Sequence, residues 1–319
     1  MNSAPGLTVV AAILEDRSGR VLLAERPHGK PDAGYWEFPG GKIESGESPA
    51  QALARELHEE LGIELTRAVR LMSVHQVRAN GPLELQAWRV LAYRGEVCAR
   101  ENQALRWLPA NALPAPELCP ADRPIARALG LPDRLLITPD PADLPQASFL
   151  RCVDAAIGAG LSLVRLRSRL PIAEDLITAC EARMQATGGR LLLGLADFSR
   201  RQSACTGLYL RSRELCPRLP MPGDPKSLVL ASVHDAREIA SAHDLGVDAL
   251  VIAPVLATAS HPGEACLGWS GFASLLAQSR LPAYALGGLG VADLPSARGH
   301  GALGIAAIRG LWPDLKPTP

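Results

Sequence analysis

Glutamates recur at short spacing between Gly41 and Ile63, in the stretch GKIESGESPAQALARELHEELGI. Glu56, Glu59 and Glu60 are three and four residues apart, so they share one face of a helix. Three neighbouring carboxylates repel one another unless a cation lies between them, and hard oxygen ligands suit Mg²⁺, with Mn²⁺ as an alternative. Arg55, four residues before Glu59, can hold that glutamate in its ligating orientation. The spacing predicts a metal site for phosphate chemistry, although the cluster alone also fits a solvated surface helix.

The helix that carries these glutamates is marked at both ends. Ser48 is a natural N-cap, and Pro49 suits the first helical position because its missing N–H would be unpaired there anyway. Gly62 is placed to end the helix. Apolar residues recur at three- and four-residue spacing between the caps: Ala50, Leu53, Ala54, Leu57 and Leu61. We therefore expect an amphipathic helix that docks this stripe on a core.

Fixed spacings around the helix match a known motif. The matching residues are Gly41, Glu47, Arg55-Glu56-Leu57, Glu59-Glu60 and Gly62-Ile63. They reproduce the complete Nudix box, so the chain resembles the Nudix hydrolases, which cleave a nucleoside diphosphate linked to another group. The resemblance implies an α/β/α sandwich and divalent ions, Mg²⁺ or Mn²⁺. It also implies the metal-binding residues, with a carboxylate that activates water: Gly41, Glu56, Glu59, Glu60 and Glu101.

Within that family, WEFPGGKIE and ENQALRW resemble the MutT-type 8-oxo-dGTP diphosphatases. The likeness implies that Glu101 is an additional carboxylate near the metals. The alternative interpretation is an exposed acidic residue in a loop. The likeness also implies that Arg26 pairs with the substrate phosphates. The alternative interpretation is a solvated charge at the end of a strand. The other substrate-binding candidates are Glu37, Phe38, Gly40 and Gly41.

Asp122 stands where these enzymes place a base-reading asparagine, at the start of the segment ADRPIARAL. An aspartate at a helix N-terminus is commonly a cap, whereas a carboxylate that reads a base accepts from its N–H groups. Oxidised guanine has an N7–H donor that guanine lacks, so an acceptor near that edge could discriminate between them. The resemblance implies hydrolysis of 8-oxo-dGTP to the nucleoside monophosphate and pyrophosphate, which serves DNA replication fidelity and repair.

Length and composition allow two domains and restrict the partners. The chain has 319 residues, with 33 basic and 33 acidic side chains, so a general basic field for a nucleic-acid duplex is missing. The seven cysteines are scattered without CxxC spacing, which indicates neither a disulfide framework nor a zinc site. With no signal peptide and no membrane span in the pattern, we expect a soluble, cytoplasmic protein.

The elements of the first domain, residues 1–130, can be read from alternating apolar runs. Residues 7–14 and 21–25 predict a hairpin around the Asp16–Gly19 turn. Residues 69–77 and 83–93 predict two further strands of a mixed sheet. Residues 101–107 are expected to lead into a helical segment around Leu113. Gly130-Leu-Pro-Asp133 reads as a linker.

The second domain, residues 134–319, alternates short apolar runs with helical segments. Eight such runs predict a (β/α)₈ barrel with its active face at the carboxyl ends of the strands. The runs are residues 135–138, 163–167, 191–194, 207–210, 228–232, 249–253, 283–286 and 304–307.

The barrel resembles thiamine phosphate synthase through ALGGLG at 285–290, GIAAIRGLW at 304–312, SVH at 232–234 and APVLATASHPG at 253–263. Gly287 and Gly288 would expose backbone N–H groups to a phosphate, although they could merely turn the chain. The candidates for binding a phosphorylated ligand are Gly287, Gly288, Arg167 and Thr258.

Several positions depart from that family. Its Gln-x-Arg-x-Lys element is replaced by arginines, its Asn-Asp metal element by Ala-Asp, its second metal aspartate by a glutamate and its loop lysine by a histidine. The residues concerned are Arg165, Arg167, Arg169, Ala196, Asp197, Glu214 and His261. We expect His234 and His261 to be polar loop residues. Three hypotheses follow: a nucleotide-cleansing enzyme with an accessory barrel, a bifunctional enzyme with an active synthase, and an enzyme regulated by a non-catalytic barrel.

Overall fold

The structure is a computed structural model that describes residues 6–27, 29, 32–78, 81–200, 205–216, 219, 221–222, 224, 227–257 and 265–313. The chain divides into two compact units, Met1–Leu131 and Pro132–Pro319. Each unit has its own sheet system and its own buried core. All seven cysteines lie in the described ranges and are free thiols.

The described residues of the first unit form two sheets and two α-helices. Its elements are β1 (Leu7–Ile13), β2 (Arg20–Glu25), β3 (Trp36–Glu37), β4 (Gly40–Lys42), α1 (Pro49–Leu61), β5 (Glu64–Arg78), β6 (Gly81–Arg94), β7 (Leu105–Pro109) and α2 (Arg123–Leu129). One sheet has the order β4-β1-β6-β5 and the other the order β3-β2-β7. The first is mixed, because β1 is parallel to β6 and antiparallel to β4. This is the mixed α/β arrangement predicted from the Nudix resemblance.

The predicted hairpin of β1 and β2 is wrong, because the two strands belong to different sheets. The turn at Asp16 forms, and its backbone N–H donates to Arg20 O at 2.9 Å. Beyond it, a single bridge joins Glu15 to Val21. Both edges of β1 are occupied by β4 and β6, so β2 pairs instead with β3 and β7.

The helical segment expected around Leu113 is absent from the described residues, and the residues that lead towards it, Leu105–Pro109, form strand β7. Leu105 and Trp107 lie in β7 and pair with Ala24 and Leu22 of β2. Two short 3₁₀ turns, Ala110–Ala112 and Ala115–Glu117, lie on either side of Leu113 in place of the expected helix. Pairing with β2 therefore keeps the chain extended up to Pro109, immediately before the first of these turns.

Helix α1 has the predicted caps. The Ser48 hydroxyl accepts from Gln51 N, Pro49 is the first residue, and Gly62 ends the helix in the left-handed conformation with φ 72°. Its buried apolar residues are Ala52, Leu53, Leu57 and Leu61, which pack on Val10, Ala12, Leu14 and Leu22. Ala50, expected in the stripe, is exposed because the buried face is centred on the leucines.

The second unit is a closed eight-stranded barrel, as predicted. Every neighbouring strand pair is parallel. Its strands are β8 (Arg134–Ile137), β9 (Leu163–Arg165), β10 (Arg190–Gly194), β11 (Thr206–Leu210), β12 (Val229–Val233), β13 (Ala249–Ile252), β14 (Ala283–Leu286) and β15 (Gly304–Ala307). Its helices are α3 (Gln146–Gly158), α4 (Glu174–Ala186), α5 (Leu195–Arg200), α6 (Ala236–Leu245), α7 (Gly268–Leu276) and α8 (Leu294–Gly299). Among the described residues, no helix has the length and apolar character needed to cross a membrane.

Candidate active site

Two glycines at the start of β4 lie directly against two carboxylates of α1. The Gly40 N–H donates to Glu60 Oε2 at 3.0 Å. A Cβ atom on Gly41 would overlap the Glu56 carboxylate, so only a glycine leaves room for that side chain here. The glycine turn and the end of α1 therefore place Glu56 and Glu60 against the same piece of backbone.

Glu60 is turned into the protein, with 9% of its surface exposed. Its pKa is raised to about 8, chiefly by burial, with the charges of Glu56, Glu37 and Glu101 adding to the effect and the Gly40 N–H opposing it. The three glutamates of this helix differ in their surroundings, because Glu59 remains about half exposed at 54%. Glu60 lies among carboxylates in a partly dry environment.

Arg55 connects the acidic residues on the outer side of α1. Its Nε and Nη2 atoms donate to the two carboxylate oxygens of Glu47 at 2.8 and 3.0 Å. Its Nη1 atom donates to Glu56 at 2.9 Å and to Glu59 at 3.2 Å. The predicted contact with Glu59 is present, but the bidentate pair with Glu47 is the tighter one. That pairing lowers the pKa of Glu47 to about 2.

The residues fit a divalent cation, although their present positions do not form a closed ligand set. Among the described residues, no three acidic, histidine or cysteine side chains are placed together to hold a metal ion. Arg55 holds Glu56 and Glu59, and the Gly40 N–H holds Glu60. The fit lies in the hard oxygen donors of these carboxylates. Burial chiefly raises the pKa of Glu60, the neighbouring carboxylates add to the shift, and a cation would relieve the repulsion among them.

Glu101 lies in an exposed loop after β6, and its charge still contributes to the raised pKa of Glu60. Gln103, which sequence reasoning missed, connects that loop to α1. Its side-chain amide accepts from the Glu101 N–H at 2.9 Å and donates to Glu60 O at 3.1 Å. The side chain is buried at 8% exposure, and a lone glutamine within ENQALRW gives no sequence signal for this role.

The candidate substrate-binding residues Arg26 and Glu37 form an ion pair, so Arg26 is not a solvated strand-end charge. Asp122 is buried, and the Phe38 N–H approaches its Oδ1 at 3.4 Å. Asp122 precedes α2 but makes no capping hydrogen bond to that helix, all of which lies in the described range. The capping alternative is therefore wrong, and the carboxylate is directed towards the β3–β4 loop.

Cys119 is a second residue that sequence reasoning missed. Its N–H donates to Trp36 O at 2.9 Å, which places it beside the Arg26–Glu37 pair. Burial raises the pKa of its thiol to about 12, with the charges of Glu37 and Asp122 adding to the shift. These contacts and charge effects group Arg26, Glu37, Phe38, Cys119 and Asp122, and we call this group, as the candidate base-binding region, the Asp122 pocket.

In the barrel, Gly287 and Gly288 adopt left-handed backbone conformations, with φ 117° and 66°. A Cβ atom on Gly287 would lie 2.9 Å from Val255 N, and one on Gly288 would lie 2.6 Å from Ala257 O. Backbone packing alone therefore requires glycine here, and phosphate binding at this turn stays a prediction. The Arg167 N–H donates to Thr138 Oγ1 at 3.0 Å. Thr258 and His261 lie outside the described residues.

The two barrel acids at metal-binding positions of the synthase resemblance are engaged by arginines. Asp197 Oδ1 accepts from Arg200 Nη2 at 2.6 Å, and Glu214 forms an ion pair with Arg211. In this arrangement each carboxylate is paired with an arginine, which a metal ion would have to displace. The His234 ring nitrogen Nδ1 lies 2.8 Å from Ala253 O.

Comparison with known proteins gives a family match for each unit. Residues 5–129 match the NUDIX domain. A CTP pyrophosphohydrolase from Escherichia coli is 50% identical over 124 residues, which cover 38% of this chain and 90% of that protein. An 8-oxo-dGTP diphosphatase from Escherichia coli is 31% identical over 123 residues, which cover 39% of this chain and 95% of that protein.

Residues 202–311 match the family described as thiamine monophosphate synthase. The matched range begins after β10, so it leaves out the arginines at 165, 167 and 169. The solved structure of a thiamine phosphate pyrophosphorylase from Pyrococcus furiosus is 18% identical, with a TM-score of 0.44, and covers 55% of this chain and 85% of that one.

Proposed function

The chain belongs to the Nudix family, and we propose that residues 5–129 form a Mg²⁺-dependent 8-oxo-dGTP diphosphatase. The family acts on phosphoanhydride bonds of nucleotides. The proposed products are 8-oxo-dGMP and pyrophosphate. The observation that carries the proposal is the seating of Glu56 and Glu60 on the Gly40–Gly41 turn, where hard oxygen donors accumulate beside the Asp122 pocket.

Hydrolysis of a phosphoanhydride needs an activated water and relief for negative charge on the transferred group. Bound divalent ions would supply electrophilic stabilisation of that charge. Glu56, Glu59, Glu60 and Glu101 are the proposed ligands or water-activating bases, together with the backbone of Gly41. Arg55 is a positioning residue, because it fixes Glu56 and Glu59 through hydrogen bonds from one guanidinium group.

Base selection is assigned to the Asp122 pocket. A carboxylate in its ionised form only accepts hydrogen bonds, so Asp122 in that form would favour base edges that present N–H groups. The N7–H of 8-oxoguanine is such a donor and is absent from guanine. We assign the phosphate-binding role to Arg26, whose guanidinium is held by Glu37.

A cytidine nucleotide is the second candidate substrate. The relative named a CTP pyrophosphohydrolase is 50% identical over the matched segment. The exocyclic amino group of cytosine is also a donor that a carboxylate can accept from. Asp122 fits either base, so the choice between them depends on the shape of the pocket.

The test is a hydrolysis panel of 8-oxo-dGTP, dGTP, CTP, dCTP and ADP-ribose with Mg²⁺, for the wild type, Glu60→Gln and Asp122→Asn. We expect the highest kcat/KM for 8-oxo-dGTP and near-complete loss for Glu60→Gln with every substrate. Asp122→Asn should alter the ranking of bases while retaining turnover, because it leaves the acidic cluster unchanged. A lead for CTP would favour the second candidate, and equal rates would refute selection of the base.

For the barrel, we propose an accessory unit that has lost the synthase reaction. The proposal is supported by Asp197 and Glu214, whose carboxylates are neutralised by Arg200 and Arg211. The alternatives are an active synthase and a regulatory ligand-binding barrel. Formation of thiamine phosphate from its pyrimidine and thiazole precursors by the full chain would establish the first. A ligand that alters nucleotide hydrolysis without being consumed would establish the second.

A further inference from the structure

The loop between β6 and β7, residues 95–104, closes the C-terminal end of α1. The last carbonyl groups of a helix have no partner within the helix itself. Here the Cys98 N–H donates to Leu61 O at 3.0 Å, and the Arg100 N–H donates to Glu60 O at 2.9 Å. The loop that carries Glu101 is therefore bonded to the helix turn that carries Glu60.

One buried side chain joins the backbones of these two acidic residues. The amide oxygen of Gln103 accepts from the Glu101 N–H at 2.9 Å, and its amide nitrogen donates to Glu60 O at 3.1 Å. The planar amide of Gln103 thus forms a bridge between Glu101 and Glu60, and burial keeps water from competing for it.

The backbone beside the bridge has an uncommon conformation. Asn102 lies between Glu101 and Gln103 with φ 58°, in the left-handed region that asparagine adopts more readily than most residues. The turn at Asn102 lets the N–H of Glu101 meet the side chain two residues further along the chain. The sequence at this position therefore supports the bridge.

Stability of the fold alone does not account for the bridge. Without Gln103, Glu60 O would keep the Arg100 N–H as a donor. Glu101 is exposed, so water could replace the glutamine as the partner of its N–H. Loss of the bridge would therefore leave no buried group unpaired, but it would allow the Glu101 loop to move relative to Glu60.

We propose that Gln103 is a positioning residue of the metal site, which holds Glu101 beside Glu60 so that the two carboxylates can bind a divalent cation together. Both of its hydrogen bonds are to backbone atoms, so it acts through the two acids and not on the reacting groups. Residues that orient metal ligands through hydrogen bonds contribute to metal affinity without touching the ion. This inference rests on the proposed metal-dependent hydrolysis.

The test is Gln103→Met in the full chain, which keeps the length of the side chain and removes both hydrogen bonds. We expect calorimetry to show affinity for Mg²⁺ at least about tenfold weaker than in the wild type. We expect kcat for the nucleotide to fall by a similar factor with KM little changed, because the Asp122 pocket is untouched. In the metal-free protein, the Glu101 amide should exchange its hydrogen faster, which NMR measures.

Arg100→Met is the matched control from the same loop. It removes a side chain whose Nη1 atom lies 3.4 Å from His58 O, at the same end of α1, and it leaves the Gln103 bridge in place. Its affinity for Mg²⁺ should equal that of the wild type. Equal losses in Arg100→Met and Gln103→Met would overturn the proposal, because they would reflect general loosening of the helix end.

A pair of variants at Asn102 avoids any change to Gln103. Asn102→Gly should bind Mg²⁺ as the wild type does, because glycine adopts φ 58° without strain. Asn102→Val should weaken binding as Gln103→Met does, because a β-branched residue is strained at that angle. Wild-type affinity in Asn102→Val would contradict the need for this turn.

A double variant tests whether Gln103 acts through Glu101. Glu101→Gln with Gln103→Met should bind Mg²⁺ about as weakly as Glu101→Gln alone. Multiplied losses, or wild-type affinity in Gln103→Met, would overturn the proposal. Mg²⁺ affinity does not depend on which nucleotide is hydrolysed, so failure of the 8-oxo-dGTP assignment can be distinguished from failure of this inference.

Discussion

At the residue scale, the raised pKa of Glu60 connects the structure of the acidic cluster to its proposed work. The carboxyl group is buried, faces Glu56, Glu37 and Glu101, and receives one backbone N–H from Gly40. Without a cation, Glu60 is therefore mostly protonated at neutral pH. A bound Mg²⁺ requires the carboxylate form, so metal binding and proton release are linked.

This linkage predicts a pH-dependent proton count. At pH 7, below the raised pKa of about 8, each bound ion should displace close to one proton from Glu60. The apparent affinity for Mg²⁺ should rise about tenfold per pH unit up to that pKa and then level off. Titration calorimetry in buffers of different ionisation enthalpy measures the count. Equal proton release at pH 7 and at about pH 9.5 would contradict the assignment.

At the element scale, local signals predicted helix α1 and the strands β5 and β6, but not which strands pair with β1 and β2. Ser48, Pro49 and Gly62 act on the backbone within one turn, so their positions in the sequence define the helix ends. The β1–β2 hairpin failed because the partners of β1 come from β4 and β6, and a single sequence does not reveal that competition. The roles of Gln103 and Cys119 depend on the same long-range packing.

The two glycines of β4 give a matched pair of predictions. Gly41→Ala should displace the Glu56 carboxylate, the movable end of a side chain, and lower activity at least about tenfold with the melting temperature little changed. Gly40→Ala should instead destabilise the first unit by at least about 2 kcal/mol. Gly40 has φ 149°, and its added Cβ would overlap the backbone carbonyl of Val10, which cannot move aside.

Melting curves and hydrolysis rates of both variants separate these effects. If Gly41→Ala remains folded but hydrolyses the nucleotide poorly, the result supports a catalytic need for the contact between Glu56 and the backbone at Gly41. Full activity in Gly41→Ala would show that the seating of Glu56 against this backbone is dispensable.

At the scale of the whole molecule, the fold of the second unit could be predicted from the sequence, but the chemistry of its interior could not. Eight apolar runs were sufficient to predict the barrel, because each strand is buried on both faces and reads as a continuous apolar run. The chemistry of the barrel was not predictable in the same way. Arg165 reads in the sequence as a departure from a family motif, and only the closed strand order shows that it faces inward.

The two-unit organisation predicts that Met1–Leu131 is sufficient for nucleotide hydrolysis. Every candidate residue of that site lies between Arg26 and Asp122, and the 50% identical relative is matched over 90% of its own length by this part alone. We expect the fragment to keep kcat/KM within about threefold of the full chain, and the same fragment with Glu60→Gln to be inactive. A folded but inactive fragment would show that the barrel takes part in the reaction.

The buried thiol of Cys119 has a consequence for survival under oxidative stress. Peroxides attack the thiolate form of cysteine. A thiol whose pKa is about 12 has a very small thiolate fraction near neutral pH. The pocket proposed to receive an oxidised base would therefore resist sulfenic acid formation at its own cysteine. Peroxide at the concentrations that form the proposed substrate, 8-oxo-dGTP, should therefore leave Cys119 in its thiol form.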